Sequence, residues 1–121
     1  MKNARYTAQW VKGSQCQIQR GKVIAEAAAD SLPEFASQLC TNYAYNLGDG
    51  FSYQKFDSEN EIKDSYGDEL PDWFKQVTAY PVLVFTSNFG TEILCNPSAS
   101  AIINQVRGEA YGDYDLTIKG I

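Results

Sequence analysis

Between positions 57 and 72 the sequence concentrates side chains that could do chemistry, because seven of these sixteen residues are carboxylates. They are Asp57, Glu59, Glu61, Asp64, Asp68, Glu69 and Asp72. Lys63 is the only basic residue in this acidic stretch, and the aromatic residues Tyr66, Trp73 and Phe74 lie within it or directly after it. Carboxylates at this density could coordinate a divalent cation, work in pairs as acid and base, or face a positively charged partner.

Three of the aspartates recur every four residues, at Asp64, Asp68 and Asp72. On an unbroken helix this spacing would align three oxygen ligands suited to Mg²⁺ or Ca²⁺. Gly67 and Pro71 interrupt the spacing, and the EF-hand pattern is missing. No spacing selects one carboxylate pair for catalysis either. We therefore predict no metal site, no cofactor and no catalytic residue.

The interpretation that we favour is an interaction surface, in which aromatic side chains supply a desolvated centre and carboxylates supply steering and specificity. The residues predicted to form this acidic surface are Glu61, Asp64, Tyr66, Asp68, Glu69, Asp72 and Trp73. The predicted partner is a protein with a basic surface, such as a nucleic-acid-binding protein. A solvated helix face that merely keeps the protein soluble is the alternative.

Charge is distributed unevenly along the chain, whose formal net charge is −5. The first 25 residues contain five basic residues and no acid, whereas the remainder carries all 15 acids and the other five bases. Such polarity concerns partners rather than the fold. It also permits a second hypothesis, a self-associating assembly protein of virion type, in which the basic arm of one copy contacts the acidic body of another.

Composition removes several classes of enzyme. The chain has no histidine, so Ser-His-Asp and Cys-His arrangements are impossible. Its three cysteines, Cys16, Cys40 and Cys95, form no CxxC pair and are predicted to be buried apolar residues in a reducing compartment. No apolar run approaches the ~18 residues of a membrane span. We predict a cytoplasmic, non-enzymatic protein with no membrane partner; an enzyme using carboxylates, tyrosines or a lone cysteine remains a third alternative.

Hydrophobic periodicity predicts the elements that would position these residues. A capping box at Ser31 and Glu34 opens a helix that ends at Gly48, and a second capping box at Ser58 and Glu61 opens a short helix that Gly67 ends. Another short helix is predicted to start near Pro71. The remaining predictions are strands at 4–11, 15–19, 51–56, 81–86, 91–95 and 114–119, and a helix that Asn96 caps and Gly108 ends.

The predicted order is ββαβ, an acidic helical insert, and ββαβ again, which suggests a pseudo-repeat. At 121 residues the chain is predicted to form a single domain. We predict an α+β fold, with a mostly antiparallel sheet and helices packed on one face. The strand at 81–86 is apolar on both faces and should be central.

One segment resembles a known fold family. Tyr80-Pro81 precedes the apolar run Val82-Leu83-Val84-Phe85, and a turn, a second strand and a helix follow. This order is similar to the C-terminal half of thioredoxin-like folds, where a cis-proline precedes such a strand. The resemblance covers some 30 residues and implies a ββα unit. It implies no redox activity, since no CxxC pair lies upstream.

The basic N-terminal strand has residues that could bind nucleic acid directly, because Tyr6 and Trp10 lie among Lys2, Arg5 and Lys12, but we do not favour this interpretation. Alternation places Arg5 on the face opposite the two aromatic rings, so stacking and charge do not share a side. We expect the rings to pack on the first helix. In character the chain is similar to the small acidic inhibitors that phages and mobile elements encode against host defence or nucleic-acid machinery, anti-CRISPR proteins among them.

Overall fold

The structure, a computed structural model, describes residues 4–12, 22–46, 50–109 and 114–121. The elements are the strands β1 (Tyr6–Lys12), β2 (Val23–Ala29), β3 (Ser52–Phe56), β4 (Val82–Ser87), β5 (Gly90–Cys95) and β6 (Tyr114–Lys119), the helices α1 (Leu32–Asn46), α2 (Glu59–Tyr66) and α3 (Ala99–Glu109), and a 3₁₀ helix at Asp72–Gln76. The predicted α+β class is confirmed.

The strands form two antiparallel sheets rather than one, with the orders β2-β1-β6 and β3-β4-β5. The predicted order of elements, ββαβ on either side of an acidic helical insert, is confirmed. Each sheet pairs the hairpin of one half with the last strand of the other half, so the two halves exchange strands. The strand predicted at 15–19 lies outside the described residues, and β2 follows it in the sequence.

Alternation along β1 buries Tyr6, Ala8 and Trp10 on one face of the first sheet. On β2 the buried residues are alanines, which allow α1 to lie close to the sheet. The ring of Tyr6 stacks on that of Phe35 in α1, with centroids 5.8 Å apart. The expectation that the N-terminal aromatic residues pack on the first helix is therefore confirmed for Tyr6.

Helix α1 connects the two sheets. Its first turn is capped by Ser31, whose Oγ accepts a hydrogen bond from the Glu34 N–H at 3.4 Å. Its apolar stripe is buried, and the hydroxyl of Tyr43 within that stripe donates to the carbonyl oxygen of Thr86 in β4 at 3.1 Å. The helix thus packs on the first sheet and is hydrogen-bonded to the central strand of the second.

Strand β4 is buried on both faces, as its sequence predicts. Leu83 and Phe85 face the main core that includes α1 and the first sheet. Val82 and Val84 face a second, smaller core, which is covered by the acidic stretch and its aromatic residues. Because both faces of β4 are apolar, the second sheet needs a layer on each side, so the helices do not all lie on one face.

Helix α3 starts later than predicted. Ser98, and not Asn96, caps it, since the Ser98 Oγ accepts from the Ala101 N–H at 3.2 Å. Asn96 has φ 47°, a left-handed conformation that asparagine tolerates, and its N–H donates to the carbonyl oxygen of Pro81 at 2.7 Å. The helix also continues past Gly108. The Tyr80–Pro81 peptide bond is cis, and the ββα order of the thioredoxin-like resemblance is present.

Candidate interaction surface

Local sequence signals explain why the acidic stretch is ordered. The Oγ of Ser58 accepts a hydrogen bond from the Glu61 N–H at 3.3 Å, and the Glu61 carboxylate in turn accepts one from the Asp57 N–H. These bonds satisfy donors at the start of α2 and place acids where the helix dipole favours them. Gly67, with φ 64°, ends the helix, and its N–H donates to the Lys63 carbonyl at 2.7 Å.

Beneath the carboxylates lies a compact aromatic base. The ring centroids of Phe56, Tyr66 and Trp73 are 5.8 to 6.2 Å apart, so each ring contacts the other two. Ile62, the one fully buried residue of α2, packs into the same small core. Tyr66 and Trp73 are half-buried. The acidic stretch is therefore anchored to β3 and β4 by apolar contacts.

All seven carboxylates of the acidic stretch belong to exposed residues. Two form ion pairs, Asp57 with Lys55 at 3.6 Å and Glu59 with Lys63 at 3.3 Å. All four of these side chains are more than half exposed, so the pairs are weak. Within the described part of the chain, the remaining carboxylates make no ion pair. The carboxylates without an ion pair are Glu61, which accepts the Asp57 N–H, and the four residues Asp64, Asp68, Glu69 and Asp72.

The described N-terminal bases do not neutralise these acids. The Arg5 guanidinium lies over the Tyr6 ring, 5.3 Å from its centroid, and the Lys12 ammonium lies over the Tyr114 ring at 4.6 Å. Both cations therefore interact with aromatic faces of the first sheet. The acidic surface is therefore separate from Arg5, Lys12 and the exposed Lys22, and the bases that contact the acidic stretch are its own neighbours Lys55 and Lys63.

Of the predicted surface residues, Glu61, Asp64 and Tyr66 belong to α2, and Asp72 and Trp73 open the 3₁₀ helix. Asp68 and Glu69 lie in the turn between them. The sequence interpretation did not include Phe56, whose ring completes the aromatic base from the neighbouring strand β3. Its signal was its position immediately before the acidic stretch, at the end of a predicted strand.

A second feature is a cleft of about 330 Å³ between α1, β3, β4 and the start of α3. The Cys40 thiol, in a residue that is 3% exposed, lies in its wall beside the Tyr53 hydroxyl. Burial raises the pKa of Cys40 from 9.0 to about 12, although the hydrogen bond from Tyr53 opposes the shift. The thiol is therefore protonated at neutral pH and is not poised as a nucleophile. Cys95 is half-buried, and Cys16 lies outside the described residues.

The Cys40–Tyr53 pair predicts a loss of stability at alkaline pH. Burial also raises the pKa of Tyr53, from 10.0 to about 12, with the charge of Cys40 adding to the shift. Since both pKa values are higher in the folded protein, the unfolded chain releases protons first as the pH rises above about 9. Solvent screening reduces the share of the half-buried Tyr53, so most of the effect should come from Cys40. The free energy of unfolding should then fall by on the order of a few kcal/mol by about pH 11.

Urea denaturation at a series of pH values from about 7 to 11 measures this effect. Cys40→Ala removes one of the two groups and should flatten the alkaline decline relative to the wild type. Tyr114→Phe, which removes a different tyrosine, serves as the control and should keep the full decline. A Cys40→Ala protein with the same pH slope as the wild type would contradict the prediction.

Two further findings concern the described residues alone. Within 4–12, 22–46, 50–109 and 114–121, no three cysteine, aspartate or glutamate side chains are close enough to hold a metal ion. In the same ranges, no helix has the length and apolar character required to cross a lipid bilayer.

Comparisons with protein-family models, with curated proteins and with solved structures found no match to this chain.

Proposed function

We propose that the chain is a non-enzymatic binding protein, whose acidic surface occupies the basic surface of a protein partner. The observation that carries the proposal is that carboxylates without ion pairs are held on a segment with a defined structure. Asp64, Asp68, Glu69 and Asp72 are exposed and make no ion pair with any described residue, yet the segment that bears them is capped and anchored on the Phe56–Tyr66–Trp73 base.

This arrangement suits recognition of arginine- or lysine-rich surfaces. Charges held on an ordered segment lose little conformational entropy on binding, so more of the Coulomb attraction is retained in the affinity. The partly exposed rings of Tyr66 and Trp73, with Leu70 at 36% exposure between them in the sequence, supply apolar area next to the charges. Nucleic-acid-binding proteins present basic surfaces of this type, so such a protein is the proposed partner.

Occupying such a face would block its normal ligand. The proposed role is therefore that of an inhibitor, of the kind that phages and mobile elements encode against host defence or nucleic-acid machinery. Long-range attraction between the acidic surface and the partner would raise the association rate, and salt would lower it.

Reversing three charges tests the proposal. The variant Asp64→Lys/Asp68→Lys/Asp72→Lys is expected to weaken binding of a fluorescent arginine-rich peptide at least about tenfold, because repulsion replaces attraction. All three side chains are exposed, so its melting temperature should stay close to that of the wild type. Fluorescence anisotropy measures the binding and circular dichroism the stability.

The matched control reverses three exposed carboxylates elsewhere, in the variant Glu26→Lys/Glu34→Lys/Glu92→Lys. Both variants have the same net charge, so only a local acidic surface distinguishes them. The control should bind within about twofold of the wild type. Equal weakening of both variants would reduce the effect to net charge and reject the acidic surface. Host proteins retained by the wild type and the control, but not by the first variant, would identify the partner.

A self-associating assembly protein is the second candidate. The observation that favours it is the outer edge of β6, the last strand of the first sheet, which pairs with no described residue.

A further inference from the structure

The two outer edges of the first sheet differ. At the β2 edge, side chains of α1 occupy the backbone groups that a further strand would need. The Ala28 N–H donates to the Gln38 side chain at 2.9 Å, and the Asn42 side chain donates to the Glu26 carbonyl at 3.0 Å. Such contacts close an edge against strand addition.

The pairing of β1 defines which groups of β6 are free. The Glu26 carbonyl binds Asn42 and so faces away from β1, which makes Glu26 and its partner Gln9 a non-hydrogen-bonded pair. The backbone N–H and C=O groups of Gln9 must then face the other neighbouring strand, β6. Gln9 pairs with Thr117, whose backbone groups therefore face β1. Leu116 and Ile118, on either side of Thr117, direct their N–H and C=O groups outward. No described residue pairs with this edge.

The side chains that β6 contributes to the main core are more exposed than those of its neighbour β1. Ala8 and Trp10 of β1 are 5% and 0% exposed, whereas Ile118 and Leu116, which lie opposite them, are only half-buried. Both side chains pack against the main core from its margin. A further strand beside β6 would bury apolar area there as well as satisfying the outward backbone groups.

We propose that this edge binds the same edge of a second copy of the chain, antiparallel and centred on Thr117. In this register Leu116 lies opposite the second copy's Ile118, and the two exchange backbone hydrogen bonds. Asp115 lies opposite the second copy's Lys119, and by symmetry the pair occurs twice. These are non-hydrogen-bonded positions, where the side chains of opposite residues lie closest.

Charge complementarity selects a second copy as the occupant. Asp115 and Lys119 are exposed on the outer face of the sheet, at equal distances from Thr117 and with opposite signs. Like charges on an edge strand would repel a second copy, but this arrangement attracts one. Centring the pairing on Leu116 or on Ile118 instead would separate Asp115 from Lys119. The edge strand β5 carries a single charged residue, Glu92, and offers no such pair.

The dimer would have two-fold symmetry and a continuous six-stranded sheet made from two three-stranded ones. It uses none of the residues of the acidic surface. Failure of the dimer and failure of the proposed binding to a basic partner are therefore separate results.

Charge exchange tests the register. Sedimentation velocity of the wild-type protein, from about 10 µM to about 1 mM, should show a mass that rises to twice 13.5 kDa. Asp115→Lys and Lys119→Asp each place like charges opposite one another twice, and each should weaken dimerisation at least about tenfold. The double variant Asp115→Lys/Lys119→Asp restores opposite charges and should dimerise within about threefold of the wild type.

Circular dichroism verifies that each variant is folded. If a single variant is not, Thr117→Lys is used, because it places two lysines opposite each other at the centre of the pairing. It should also abolish the dimer. The proposal is overturned by a wild-type protein that stays monomeric at about 1 mM, by single reversals that dimerise as the wild type does, or by a double variant that stays monomeric.

Discussion

Replacing Ile62 with alanine is expected to detach the acidic stretch from the second sheet, and so to weaken binding of a basic partner without changing any charge. Ile62 is the fully buried residue of α2 and packs in the small core that also contains Phe56, Val82 and Val84. Removing a buried isoleucine side chain to this extent costs about 2–5 kcal/mol. The small core includes few residues, so the cost should appear mainly as local opening of α2.

Amide hydrogen exchange distinguishes local opening from global unfolding. In Ile62→Ala the amides of α2 should exchange much faster, while those of β1 and α1 should change little. Ser65→Ala is the matched control, because Ser65 is exposed on the same helix and its replacement by alanine should change stability by less than about 0.5 kcal/mol.

Binding of the arginine-rich peptide then tests whether order matters. A detached acidic stretch keeps its charges but must be ordered again on binding, so affinity should fall by about the cost of that ordering. If α2 opens and the affinity does not change, the carboxylates act as a flexible polyanion and the anchored surface is not the binding element.

Much of the fold follows from short-range signals. The capping boxes at Ser31 and Ser58 predicted the starts of α1 and α2, because each supplies a hydroxyl to a helical N–H three residues later. The apolar run of β4 predicted a strand covered on both faces. The helix caps and the apolar run depend only on residues close together in the sequence, so the sequence alone is enough to predict them.

The pairing of the strands is harder to predict from the sequence. Alternation in β6 identifies a strand but not its neighbour, and its pairing with β1 joins residues more than a hundred positions apart. The division into two sheets depends on such long-range choices. Similarly, the sequence showed that β4 needs cover on both sides, but not that the acidic stretch provides it on one of them.

The start of α3 shows a competition between two good capping residues. Asn96 and Ser98 both prefer helix starts. Asn96 instead adopts a left-handed conformation and donates its N–H to the carbonyl oxygen of Pro81, fifteen residues earlier, so the helix begins after Ser98.

For the acidic surface, composition identified the carboxylates and two of the aromatic rings. Phe56 required knowledge of where β3 ends relative to α2.

A cavity in the main core should destabilise the whole protein, whereas one in the small core should open α2 locally. Trp10→Ala should therefore cause the largest loss of stability. Trp10 is fully buried in β1, the central strand of the first sheet, between its partners Ala25 and Leu116. Its replacement by alanine should lower the free energy of unfolding by about 3–5 kcal/mol. Small domains have only about 5–15 kcal/mol in total, so much of the population could unfold near physiological temperature.

Trp10→Phe is the informative comparison. The indole N–H of Trp10 is buried and has no hydrogen-bond partner among the described residues. Phenylalanine keeps an aromatic ring and removes that unsatisfied donor, so its cost should be well below that of alanine. Urea denaturation followed by far-ultraviolet circular dichroism measures both variants.

Trp73 remains as the single tryptophan in both variants and reports on the acidic stretch by fluorescence. Since β4 belongs to both cores, loss of the main core should unfold the small one in the same transition. The circular dichroism and Trp73 fluorescence curves of Trp10→Ala should therefore coincide. If part of the circular dichroism signal is lost at urea concentrations where Trp73 keeps its folded fluorescence, the second sheet and the acidic stretch form an independent unit.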